Sequence, residues 1–170
     1  MLEWLWMMKS EIQFGLFGLL FLLSLLRGAA PERLLSGTLL AMFLADRLYH
    51  LAASGSIILH WTDLGHMGID LAVLVISFAV ALRANRIYPL WIGGAQIIAM
   101  LAHVYRLSLT EINRFAYDMM SVMPSYIQLT ALILGLAFHM SRRKRLGSYP
   151  SWRGSFVPTP ASDQNPLHGG

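Results

Sequence analysis

The chain has 170 residues, of which 56% are hydrophobic and 13% charged, with a formal net charge of +4. A soluble domain carries about 25% charged residues, so these proportions exclude an ordinary soluble globule, a coiled coil and a disordered chain. The absence of Cys excludes disulfides, thiolate metal sites, Cys-ligated iron–sulfur clusters and thiol nucleophiles.

Apolar segments recur at about 10–26, 34–53, 64–82, 88–105 and 119–139. Each holds about 17–21 residues, enough at 1.5 Å per residue to cross a hydrocarbon core of about 30 Å. A helix satisfies its backbone polar groups internally in lipid, and no alternating strand pattern competes. The expected fold is all-α: a polytopic transmembrane bundle of five spans over residues 1–145. A tail over 146–170, rich in Gly, Pro and Ser and without apolar period, is expected to be disordered. The first segment reads as a span rather than a signal peptide, because Glu3 and Glu11 outnumber Lys9 and because Arg27 occupies the cleavage region. Trp4 and Trp6 before it suit an interfacial anchor.

The distribution of Lys and Arg sets the expected orientation. With the N-terminus outside, the cytoplasmic side receives Arg27, Arg33, Arg83, Arg86, Arg142, Arg143, Lys144, Arg145 and Arg153, and the outer side receives Lys9, Arg106 and Arg114. The basic excess is therefore a topology signal and does not indicate a nucleic-acid partner. In the connections, Pro31 suits the first position of the second helix, and Thr62 or Asp63 suits an N-cap for the third. Thr110 suits the cap of a short surface helix in the loop before the fifth span.

Polar side chains are costly against lipid, so their spacing marks the inward faces. The second segment carries Asp46 and His50 one turn apart, and the third carries His66 and Asp70 at the same spacing. The fourth carries Gln96, His103 and Arg106 on one stripe, and the fifth carries Ser121, Ser125, Gln128 and His139. Counted along the helices, most of these groups fall in the outer half, with His139 near the cytoplasmic end. The rest of the cytoplasmic half reads as mainly Leu, Ile, Phe and Ala. Asp46 and Arg47 cost roughly 5–7 kcal/mol on insertion scales, against roughly 4 kcal/mol returned by the Leu and Phe of that segment. The second helix is marginal alone and needs bundle partners for both charges. Arg47, adjacent to Asp46, is expected to pair across to another helix or to reach outward.

Asp46, Arg47, His50, His66, Asp70, Gln96, His103, Arg106 and Gln128 thus form one expected polar cluster. Its plainest role is a structural network that fixes helix register. Its functional roles fall into two classes. In the first, the chain is a non-enzymatic binding or accessory subunit whose outer polar pocket takes a small polar ligand, a lipid head group or a partner helix. In the second, it is a membrane redox protein in which His50, His66 and His103 hold a b-type haem or a divalent metal. No phosphate-binding Gly loop or nucleophile elbow points to an enzyme. The expected partners are the lipid bilayer and a second copy or a larger membrane complex. Short loops and the lack of a eukaryotic targeting signal place the chain in a bacterial inner membrane.

Overall fold

The computed structural model describes residues 8–53, 59–108, 114–147 and 149–153. Five helices run through them: α1 Lys9–Arg27, α2 Ala30–Ala53, α3 Leu59–Arg83, α4 Tyr88–Ser108 and α5 Arg114–Leu146. Among the described residues there is no strand, only an isolated bridge between Ala84 and Trp152. Each helix packs on the next in sequence, and α5 also touches α1 and α2.

Four of the helices hold stretches long and apolar enough to cross a membrane: Lys9–Arg27, Leu64–Arg83, Tyr88–Ser108 and Val122–Leu146. Helix α2 has the length, at 24 residues, but is diluted by Glu32, Arg33, Asp46 and Arg47. Large apolar side chains cover the outside, with Leu26, Leu48, Leu82 and Phe138 all well exposed. Such contiguous apolar surface on every side is what a lipid-facing bundle presents and a soluble one avoids. The interior packs Phe17 of α1, Leu35 and Leu39 of α2, Val73 and Val80 of α3, Ile92 of α4 and Leu132 and Leu136 of α5.

Local chemistry explains the ends. Helix α1 stops at Gly28, whose N–H still reaches Ser24 O at 2.8 Å while its backbone turns extended. A Cβ there would strike Ser24 O and Glu32, so only glycine permits so tight a join. Ser24 and Ser36 then tie α1 to α2 through a buried hydroxyl pair at 2.7 Å. Helix α2 opens with Ala30, one residue earlier than Pro31, because Glu32 Oε2 reaches back to accept the Ala29 N–H at 3.0 Å. This is the carboxylate half of a capping box. Helix α3 starts at Leu59, so Thr62 and Asp63 lie within it and not at a cap. Helix α5 continues through Pro124 and ends at Gly147, where a φ of 69° suits the left-handed position past a helix end.

At 33 residues, α5 is much longer than the expected span and carries Arg142–Arg145 as helix. Part of the tail expected to be disordered is docked: Asn85 N–H donates to Ser151 O at 3.2 Å and Arg153 Nε donates to Ala84 O at 3.1 Å. Trp4, Trp6, Thr110 and the tail from residue 154 lie outside the described residues.

Candidate functional site

The expected polar cluster divides into two groups, and a third group lies apart from it; His50, expected to face inward, is exposed at the edge of the first. In the first, Asp46 of α2 meets His66 of α3, Oδ1 to Nδ1 at 2.9 Å, and stands 3.9 Å from His50 Nε2. The Tyr49 ring lies edge-on to His66, with centroids 5.1 Å apart. A Cβ on Gly65 would collide with that same Tyr49 ring, so glycine lets α2 and α3 close to this distance. Arg47 points away from Asp46 and pairs with Glu11 of α1 at 2.7 Å, its guanidinium over Phe14.

The second group is a hydrogen-bonded chain across three helices. Asp70 of α3 meets His103 Nε2 at 2.8 Å and accepts from Gln96 Nε2 at 2.9 Å, both on α4. Gln96 Nε2 also donates to the Asp70 backbone carbonyl at 3.1 Å, and Gln128 of α5 donates to Gln96 Oε1 at 2.5 Å. Both glutamines are 1% exposed. A buried amide left unpaired costs about 1–3 kcal/mol, and this chain leaves neither without a partner. Arg106 lies on the exposed last turn of α4. His103 therefore stands with Asp70 and Gln96, while His50 and His66 share Asp46. The His50 and His66 ring centroids are 4.9 Å apart. Two axial metal–nitrogen bonds of about 2.0–2.1 Å plus the ring radii need more than that, so no porphyrin fits between these two rings as placed.

The third group was not anticipated, because that end of the sequence reads as apolar. Glu32 at the start of α2 is fully buried, and its Oε1 accepts from Arg86 Nη1 at 2.7 Å and from Tyr88 OH at 3.1 Å. Arg86 Nη1 also meets His139 Nδ1 at 2.8 Å, and the Tyr149 hydroxyl meets the same nitrogen at 2.6 Å. A guanidinium has no acceptor, so His139 Nδ1 accepts in this contact. Arg86 Nε and Nη2 are shut in without a hydrogen-bond partner among the described residues. The signal for this group lay in Ala29-x-x-Glu32, the capping spacing, and in Glu32 being the lone carboxylate among the arginines expected on the cytoplasmic side as far as Arg153.

Beside the third group a groove of about 990 Å³ opens between α4 and α5. Trp91, Ile127, Leu134 and Phe138 wall it, and Arg86, His139, Arg142, Tyr149 and Arg153 form one end. Two cations lie over the Tyr149 ring, the Arg86 guanidinium carbon at 5.1 Å and that of Arg142 at 4.7 Å from its centroid. Gly135 fits this geometry, since a Cβ there would collide with the Tyr88 ring.

Fold and site together define a helical membrane protein with polar groups buried at both ends of the bundle and an amphipathic groove at one. Comparison of the chain with protein-family models, curated proteins and solved structures found no match.

Proposed function

We propose that this is a non-enzymatic integral membrane protein that holds an anionic phospholipid in the groove between α4 and α5. The observation that carries the reading is the division of that groove into apolar walls and an arginine-lined end. An acyl chain suits the walls, where burial returns about 25 cal/mol per Å². A phosphate suits Arg142 and Arg153, because guanidinium forks bind phosphate with two parallel hydrogen bonds. The volume falls at the upper end of the range of about 300–1,000 Å³ for ligand pockets.

In this reading all five helices span a bacterial inner membrane with the N-terminus outside. The groove's basic end then faces the cytoplasmic leaflet, where basic pockets between helices bind acidic head groups. Helix α2 crosses in company, its Glu32 neutralised by Arg86 and its Asp46 in contact with His66. The reading keeps the binding class expected from the sequence and moves the pocket to the opposite end.

Lipid extraction from protein purified in mild detergent tests it. Wild type should retain about one acidic phospholipid per chain. The double variant Arg142→Gln/Arg153→Gln should lose most of it, and Thr130→Trp should crowd the groove and lose it too. Retention of only zwitterionic lipid by the wild type, or equal retention by all three proteins, would reject the reading.

A further inference from the structure

We propose that Asp46, His50 and His66 form a binding site for a zinc-class divalent cation, at the far end of α2 from the groove and independent of it. Among the described residues these three are the group whose ligand atoms all lie within 4.8 Å of one another. Zinc bonds of about 2.0–2.1 Å in tetrahedral array set ligand atoms about 3.3–3.4 Å apart. The two separations that converge on Asp46 Oδ1, 2.9 and 3.9 Å, bracket that value. Small side-chain adjustments bring all three ligand atoms onto one ion.

The donor set selects the metal. Two imidazole nitrogens and one carboxylate oxygen suit zinc and its first-row neighbours, whereas magnesium and calcium take oxygen ligands. Three protein ligands leave a fourth position for water, the pattern of an open zinc site. Asp46 supplies the negative charge. Arg47, the cation next to it in sequence, is drawn off to Glu11 on α1 and offers no fixed competitor. Asp46 and His50 side chains are 45% and 61% exposed, so an ion reaches them without unpacking the bundle, while His66 is held from behind by the Tyr49 ring. The contact of Gly65 with Tyr49 fixes the approach of α2 to α3, so the ligands come preorganised from two helices.

The test is a titration of the full chain in detergent with zinc alone, by calorimetry and thermal unfolding, using an affinity tag without histidine. One zinc per chain is expected, with the unfolding midpoint raised by about 5–10 °C at a hundredfold excess over Kd. Asp46→Asn, His50→Gln and His66→Gln should each weaken binding by at least about tenfold. His103→Gln, which alters the separate Asp70 group, should leave it unchanged. For any variant whose metal-free midpoint falls, visible absorption of cobalt bound to the wild type gives a second readout, expected to show nitrogen and oxygen ligands in a tetrahedral field. Absence of zinc uptake, wild-type affinity retained in the three ligand variants, tighter magnesium than zinc binding, or loss of binding in His103→Gln would each overturn the proposal.

Discussion

Glu32 and Arg86 meet at 2.7 Å inside the bundle, with 0% and 8% of their side chains exposed. The two helices they join, α2 and α4, are not sequence neighbours, so this pair fastens the start of one to the turn before the other. Burying two charges is repaid only when geometry and further hydrogen bonds are good. Glu32 meets that condition through the Ala29 N–H and the Tyr88 hydroxyl. Arg86 meets it in part, with Nη1 engaged and Nε and Nη2 left open.

Glu32→Gln should therefore destabilise the protein by about 3–5 kcal/mol, the cost of leaving a buried cation without its counter-charge. The double variant Glu32→Leu/Arg86→Met should recover most of that loss, because both charges vanish together. Thermal unfolding in detergent of the single and double variants measures the difference. A double variant no more stable than Glu32→Gln would show that the pair is not the source of the effect.

Two glycines that look alike in sequence should respond oppositely to alanine. Gly135→Ala drives a methyl group into the Tyr88 ring and should cost about 1–3 kcal/mol by overpacking. Gly94→Ala meets nothing within 4 Å and should stabilise α4 by about 0.5–1 kcal/mol. Unfolding midpoints on either side of wild type would bear this out; equal shifts would not.

The glutamine chain should be graded. Gln128→Leu removes one hydrogen bond and strands Gln96 Oε1 in the core, at about 1–3 kcal/mol. Gln96→Leu removes the bonds to Asp70 and to Gln128 together and should cost more. Stability measured for both, with the double variant, gives the coupling through the shared bond. Additive losses would contradict a connected chain.

The Lys and Arg distribution gives a topology prediction that needs no purified protein. Reporter fusions at Gly55 and Gly147 should lie on opposite sides of the membrane, with Gly55 outside. Reporters on the same side would mean that an odd number of the helices between them fail to cross, or that α3 to α5 are not all spans.

The Asp46–His66 and Asp70–His103 contacts show how far the sequence could be read. Helical spacing put Asp46 with His50 and His66 with Asp70 on single faces, and the cost of polar groups against lipid set an inward expectation that Asp70 meets and the exposed His50 does not. It left open which acid would meet which base. The Arg47 pairing across to another helix was legible as a class of contact, but its partner Glu11 was not. Glu32 lies ahead of the apolar segment at 34–53, and only the extension of α2 back to Ala30 carries it into the bundle. Residues 149–153 have a loop-like composition, yet they dock because Ala84 O, Asn85 N–H and His139 offer them partners.

Sequence by itself determined the helical class, the apolar outer surface and the inward placement of Gln96 and Gln128. Each of these depends on residues within a few turns of one another, through hydropathy, length and the helical repeat. The tertiary structure decided the pairings, the break of one expected cluster into separate groups, and the groove beside Arg86. Those depend on the offset and rotation of one helix against another. Contacts such as Gly65 on Tyr49 and Gly135 on Tyr88 set both, and they join residues far apart in the chain.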